Sequence, residues 1–400
     1  MKLKAVVITK YFYPVAAGIE VNIRETYKKL LKMNYDISIH TSTDTLTQKN
    51  VLSTKKEIIE GLHVQRYPFG LFGFSPKIDW DNTDLICIHN FNVVPHLFIL
   101  LRILALKSVG RKQFKVLLTP HGGFTPEWSI FSPTVKFLKK LYHNTIGVLL
   151  INSTVDIFRA VSEWEKAEVI KLGIRPNLVK VISNGIEDSA FGNVKKLATP
   201  SIKKTVADLG TYIIQVGRIY PIKNYETTIR AMVNIPKEIK FVIVGPAQDN
   251  DDYQESLKSL AKQLGLEKRV IFLGVIQGYD KYYLIKHAQM MVHMAIWESF
   301  CNVVHEGMSQ GLVCIVANNS ALPFLIKNGV NGYLVDTHDS DTLAKRITYI
   351  FNNKQSPEIN YIRTLNKTQA LQHSWTKTAK KLADELESLF NTKYRAKKSI

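Results

Sequence analysis

The stretch WESFCNVVHEG places Glu298 and Glu306 with seven residues between them. The apolar run MMVHM precedes the pair. Ser299, Phe300, Cys301 and Asn302 then form a short turn, and Val303 onward reads as a helix. In such a strand–loop–helix unit Glu298 stands at the carboxyl end of the strand. The helix start offers backbone N–H groups that suit an anion such as a diphosphate. Glu306, about one turn into the helix, points toward the same crevice. One carboxylate then suits the hydroxyls of a sugar and the other those of a ribose. Taken alone, the commoner meaning of this pattern is an exposed helix start with two solvated acids.

A second cluster changes that weighting. VGRIYPIKN follows the apolar run TYIIQV, so Arg218 and Lys223 sit just after the strand-ending Gly217. Two cations at the mouth of a parallel sheet suit a phosphate pair, Arg through its planar fork and Lys as a point charge. Either cluster alone is weak. The order is the specific signal: strand, Gly-Arg-x4-Lys, a βα unit, then Glu-x7-Glu.

With these motifs in this order, the chain resembles the retaining glycosyltransferases of family 4, which have the GT-B fold. The resemblance runs through YPVAAGIEVNIRETYKKL, the HGG of His121–Gly123, VSEWEKAEVIKLGI with VKVISNGIE, VGRIYPIKN, ESFCNVVHE, NGVNGYLVD and HSWTKTAKKLADEL. It implies two Rossmann-like parallel-sheet domains facing across a cleft, with a final helix that crosses back near Trp375. It also implies that His121 touches the donor sugar, that Arg218 and Lys223 neutralise the diphosphate, and that Phe300, Cys301 and Asn302 act through backbone N–H groups. Glu298 and Glu306 complete the donor site, with His121 and Glu298 as the catalytic pair. Gly18 lies in the first loop, where a missing Cβ permits close approach to a ligand. Asn184 either binds at the interdomain seam or makes the turn that Asn-Gly favours. The family usually has more glycines in the first loop, where this chain has Ala16-Ala17-Gly18, and reads E-G-F-G where this chain reads ESFC.

The implied reaction moves a sugar, with retention, from a nucleoside diphosphate-sugar to a saccharide or lipid-linked acceptor. No cofactor or metal is expected, because protein cations and a helix start replace a divalent ion at the leaving diphosphate. DWD at Asp79–Asp81 and DND at Asp249–Asp251 match the D-x-D of metal-dependent transferases, but neither stands in a strand-ending context. A sugar-nucleotide epimerase of the same architecture and a non-catalytic scaffold are the alternatives.

The net charge is +19, and it is not confined to one half: residues 1–192 carry 25 Lys+Arg against 16 Asp+Glu. Between His96 and His143, eight basic residues face one acid, Glu127. Within SPTVKFLKKLYHN, Val135, Leu138, Leu141 and Tyr142 fall on one helical face. Lys136, Lys139, Lys140 and His143 fall on the other. A basic amphipathic helix of this kind suits an anionic bilayer, or else is an ordinary surface helix with its apolar face in the core. No nucleic-acid motif is present, so nucleic acid is excluded as the partner. Three cysteines form no disulfide framework or zinc spacing. MKLKAVVITKYF runs into a strand without a signal-like apolar region. These features predict a cytoplasmic protein, peripheral on the inner face of the plasma membrane.

Strand–helix alternation in both halves predicts two parallel α/β domains. The predicted domains are an acceptor-binding 1–192, with 375–400 packing back on it, and a nucleotide-sugar-binding 205–374. GNVKKLATPSIKKT reads as a polar linker, and IGVLLIN reads as a strand.

Overall fold

The computed structural model describes residues 2–15, 18–45, 48–92, 94–110, 114–247 and 252–396, with side chains through Phe390. The chain divides into two compact units, Met1–Asn184 with Trp375–Ile400, and Gly185–Ser374.

The first unit holds β1 (Leu3–Ile8), β2 (Tyr35–Ser42), β3 (Glu57–Ile59), β4 (Leu62–Tyr67), β5 (Leu85–His89), β6 (Lys115–Thr119), β7 (Ile157–Ala160) and β8 (Val179–Val181). They form one sheet in the order β3-β4-β2-β1-β5-β6-β7-β8, parallel except for the β3–β4 pair. The central strands are near-continuous apolar runs because helices cover both faces; every residue of β5 is buried. The helix Trp375–Ala396 belongs to this unit and buries Leu382, Ala383 and Leu386 in the core that contains Phe12, Ile23 and Tyr27.

The second unit holds β9 (Tyr212–Val216), β10 (Lys240–Val244), β11 (Val270–Phe272), β12 (Met291–His293), β13 (Cys314–Ala317) and β14 (Gly332–Val335). Their order is β11-β10-β9-β12-β13-β14, with every pairing parallel. Chain direction across this sheet reverses between β9 and β12. In the first unit it reverses between β1 and β5. In open α/β sheets such a switch point, at the carboxyl ends of the strands, is where a crevice for ligands opens.

Two sequence expectations are corrected. IGVLLIN is not a strand. The helix Pro133–Tyr142 continues through a π-turn, His143–Gly147, into the helix Val148–Thr154, and the strand is the next apolar run, IFRA of β7. A short apolar run cannot be assigned to strand or helix by periodicity alone. GNVKKLATPSIKKT is not a linker either. It forms helices Val194–Leu197 and Pro200–Leu209, the second started by Thr199 as N-cap and Pro200 at its first position. The second unit accordingly begins at Gly185.

Candidate functional site

In the second unit the loop after β9 and the loop after β12 meet at the switch point. Gly217 (φ +149°) and Gly245 (φ +151°) let the chains after β9 and β10 pass so closely that a Cβ on Gly245 would lie 1.9 Å from Gly217 O. The Tyr225 hydroxyl donates to that same carbonyl at 2.9 Å. Arg218 follows directly and is exposed. Asn224, in the left-handed region at φ 49°, ends the loop. Its amide donates to Met294 O (2.9 Å) and Thr337 O (2.7 Å), which ties the Arg218–Lys223 loop to the segments after β12 and β14.

Lys223 Nζ lies 2.5 Å from Glu298 Oε1, and His293 Nε2 lies 2.8 Å from the same oxygen. The backbone N–H of Glu298 donates to Ser320 Oγ at 2.9 Å. Burial raises the Glu298 carboxyl, but the Lys223 charge and the His293 hydrogen bond outweigh it and hold the group at about 2. His293 is fully buried at the end of β12, and burial pushes its pKa down. The result is a preformed anion held by a cation at a strand end.

Glu306 occupies a different neighbourhood. Its Oε1 accepts from Lys281 Nζ at 3.0 Å, and Lys281 also pairs with Glu187 at 3.4 Å. Burial raises the Glu306 carboxyl, with Lys281 opposing and Glu187 reinforcing the shift. Among the described residues no contact joins Glu306 to Glu298. Each acid of the Glu-x7-Glu pattern has its own lysine. Asn302 opens the helix Asn302–Ser309, and the N-cap residue Cys301 gives it no side-chain cap. The Phe300 side chain is not peripheral: its buried ring stacks on His305 with centroids 4.3 Å apart.

In the first unit His121 follows β6 with φ 52° and is half-buried. Its Nε2 lies 2.9 Å from His89 Nδ1, at the carboxyl end of β5, and His89 Nε2 lies 2.7 Å from the Tyr27 hydroxyl. Burial, then the nearby Arg159 guanidinium, lowers His121 to about 3. Glu165 fixes the loop: one oxygen accepts from Gly122 N–H at 2.6 Å and the other from Val161 N–H at 2.7 Å. Asn184 Oδ1 accepts from Asn22 Nδ2 at 2.5 Å and faces Arg159 Nη2 at 3.5 Å. Gly18 begins the helix Gly18–Leu31, and a Cβ there would meet nothing within 4 Å. Among the described residues, packing therefore does not require glycine at this position.

The basic helix differs from its sequence reading. Val135, Phe137, Leu138 and Leu141 are exposed, and so are Ile146 and Leu149 beyond them; Tyr142 and His143 are buried. Lys139 is half-buried, 4.4 Å over the Phe131 ring, and Lys140 lies 5.4 Å over Trp128. His143 is not on a basic face. It stacks on Phe124 and bonds its carbonyl at 2.9 Å.

Residues 16–190 match the family model for Glycosyltransferase Family 4, and residues 201–382 match that for glycosyl transferases group 1. The chain belongs to the family 4 glycosyltransferases, of GT-B fold. A glycosyltransferase of Methanocaldococcus jannaschii, itself uncharacterized, is 30% identical over 226 residues, covering 55% of this chain and 57% of that protein. The Escherichia coli UDP-Gal:alpha-D-GlcNAc-diphosphoundecaprenol alpha-1,3-galactosyltransferase is 23% identical, covering 62% of this chain and 64% of that protein. The matched segments thus span less than two thirds of either relative. The crystal structure of Anabaena HepE with UDP and glucose superposes with a TM-score of 0.73 at 22% identity, covering 96% of this chain and all of that one.

Against that family pattern, one departure carries a backbone cost. Cys301 has φ 67°, in the left-handed region where a glycine costs least. His293, Glu298 and Cys301 bring possible metal-ligand atoms within 4.8 Å of one another. Lys223 already neutralises that carboxylate, and burial, reinforced by Glu298, pushes the Cys301 thiol well up. Glu298 and His293 of this trio are thus already engaged, with Lys223 and with each other. Asp79 accepts from Asn82 in an exposed turn. Asp249–Asp251, Ala16–Ala17, Arg111 and Lys112 lie outside the described residues. Sequence reasoning did not single out His293, Asn224, Lys281, Arg159 or Glu165.

Proposed function

We propose that this family 4 chain transfers a sugar from a nucleoside diphosphate-sugar to a saccharide or lipid-linked acceptor, with retention and without a metal ion. The observation that carries this reading is the Lys223–Glu298–His293 cluster at the second unit's switch point. Glu298, ionised and held from two sides, accepts hydroxyls of the donor sugar. Arg218, with Lys223, meets the diphosphate as its charge develops, beside the uncapped start of the helix Asn302–Ser309. Glu306, with one oxygen on Lys281, faces the ribose. His121 contacts the donor sugar and Asn184 serves the acceptor side. UDP-sugars head the panel to test, because the Escherichia coli relative is named for UDP-Gal and HepE was solved with UDP. The test is release of nucleoside diphosphate from a panel of nucleotide sugars, with and without lipid-diphosphate acceptors and with excess chelator. Transfer with chelator present, giving an α-linked product from an α-linked donor, is expected. Strict Mn²⁺ or Mg²⁺ dependence, or an inverted product, overturns the corresponding part. Donor epimerisation without acceptor favours the epimerase reading.

The acceptor reading includes an anionic membrane surface, on the cytoplasmic face of the plasma membrane. Its support is the row of exposed Phe137, Leu138, Leu141, Ile146 and Leu149 beside Lys136 and Lys140. No helix among the described residues is long and apolar enough to cross a membrane. Lysines near an anionic leaflet contribute about 1 kcal/mol each. Lys139, half-buried over Phe131, contributes less. Replacing Lys136, Lys139 and Lys140 by Glu should weaken co-sedimentation with phosphatidylserine vesicles by at least about 30-fold, with donor hydrolysis kept. Equal sedimentation removes this surface as the anchor.

A further inference from the structure

Tyr27, His89 and His121 form a hydrogen-bonded chain that rises from the core of the first unit. The Tyr27 hydroxyl lies 2.7 Å from His89 Nε2, and His89 Nδ1 lies 2.9 Å from His121 Nε2. Tyr27 and His89 are fully buried, whereas His121 is half-buried. The His89 carbonyl is itself bonded to His96 Nε2 at 3.2 Å, which fixes the middle of the chain.

The groups facing this chain decide its protonation. Arg159 is fully buried nearby, with Nε on Ile182 O at 2.9 Å and Nη2 on Ser183 O at 3.2 Å. The other neighbours are the neutral rings of His96 and Tyr27 and the Cys87 thiol, which burial pushes up to about 12. A buried cation beside two imidazoles disfavours a second positive charge, so both rings are neutral and each carries one N–H. Burial, His121 and Arg159 in that order depress His89.

Two proton arrangements then satisfy the distances. In one, the Tyr27 O–H donates to His89 Nε2, His89 Nδ1–H donates to His121 Nε2, and His121 carries its proton on Nδ1. In the other, every direction reverses, His121 carries its proton on Nε2, and the Tyr27 proton is left to the Cys87 sulfur. A thiol sulfur is a weak acceptor and an imidazole nitrogen a good one. A buried phenol that loses its acceptor is disfavoured by roughly tenfold in population or more. The first arrangement is therefore selected by a residue two hydrogen bonds from the half-buried His121 ring.

We propose that Tyr27, acting through His89, locks His121 in the Nδ1–H tautomer, so that His121 meets the donor sugar as a hydrogen-bond donor. The lock stands on the geometry of the first unit alone, and its role in transfer rests on the reading that His121 contacts the donor sugar. Tyr27 and His89 are positioning residues. An Nδ1–H suits a sugar hydroxyl oxygen or an oxygen gaining negative charge as the donor bond breaks. It cannot act as a base there.

The test uses the full chain with ¹⁵N-labelled histidine, comparing wild type, Tyr27→Phe and His89→Phe, with His121→Ala to assign the ring. Thermal melting confirms that each variant folds. Long-range ¹H–¹⁵N correlation should show His121 of wild type protonated on Nδ1 at neutral pH and a mixture in both variants. In Tyr27→Phe the apparent donor affinity should fall only about twofold at unchanged kcat, because roughly half the free molecules hold the competent tautomer and donor binding selects it. The spectrum is therefore the sensitive readout. A wild-type proton on Nε2, or a single Nδ1–H form in both variants, overturns the lock. A mixed tautomer in the variants beside full activity of His121→Ala leaves the lock standing and overturns the place of His121 at the donor sugar.

Discussion

The two units share a strand order about their switch points but fill them with opposite electrostatics. The first places neutral imidazoles above a buried cation, Arg159, at the ends of β5 and β6. The second places a paired carboxylate at the end of β12, with Lys223 and His293 on one oxygen of Glu298. The same backbone crevice thus offers neutral hydrogen bonding in one unit and compensated charge in the other. The side chains at the strand ends set the chemistry, and the sheet only presents them.

Acid separates the two most strongly. His40, His96, His121 and His143 in the first unit are each lowered, by burial first, to about 4, 4, 3 and 4 from 6.5. For such a base the unfolded chain binds a proton that the folded chain refuses. Stability is then lost as pH falls from 6.5 toward those values. Glu298, held at about 2 against 4.5, contributes stability above pH 4.5 that is lost as pH falls toward 2. His305 in the second unit is lowered likewise, by burial first, to about 3. Hydrogen exchange on acidification should therefore show protection falling in both units from about pH 6, and further in the first, which holds more such rings. An equal loss in both units would remove this electrostatic difference.

Glu298→Gln leaves the Lys223 cation partly buried without its counter-charge and should cost about 3–5 kcal/mol in urea unfolding. That deficit should shrink below pH 4.5, where wild type begins to lose the same interaction. A constant deficit down to pH 2 would show that the carboxylate charge is not what holds the loop. Arg218→Ala removes an exposed cation, so the melting temperature should hold. Transfer should fall about 30- to 150-fold, the equivalent of about 2–3 kcal/mol of transition-state stabilisation. Full activity in this variant would remove Arg218 from the donor site. The smallest effect is expected for Cys301→Gly. Relief of about 1 kcal/mol of left-handed strain should nearly offset the lost burial of the thiol, leaving stability within about 1 kcal/mol of wild type. A large loss would make the thiol's packing, rather than its backbone, the reason for cysteine there.

The alternating apolar runs made both sheets legible, and six of the second unit's strands fall on the segments YIIQVG, KFVIVGP, VIFLGV, MMVHM, LVCIV and GYLVD. Two failures have different causes. IGVLLIN is apolar enough for a strand, but it is the last turns of a helix that began at Pro133, which periodicity alone does not reveal. GNVKKLATPSIKKT is polar enough for a linker, but Thr199 and Pro200 start a helix in it, and that local signal was present in the sequence. The motif positions Lys223 and Glu298 were readable because they recur at strand ends. Their support was not. His293 looked like one more residue of MMVHM, and Arg159 sits in the strand IFRA, where sequence alone gives no sign that a guanidinium is buried beside two histidines. Glu165 likewise reads as a helix-surface acid, yet it anchors Gly122 and Val161 through both oxygens.

The helix Trp375–Ala396 has a consequence for how the chain is made. Synthesis completes Gly185–Ser374 before this helix exists, whereas the first unit must wait for Leu382 and Leu386 to close its core. The unit begun first is therefore finished last. Until the helix emerges, the apolar face of Ile23 and Tyr27 is left for chaperones to shield. Shortening the chain at its far end, or Leu382→Ala alone at about 2–5 kcal/mol, would be felt in the half that the ribosome delivered first.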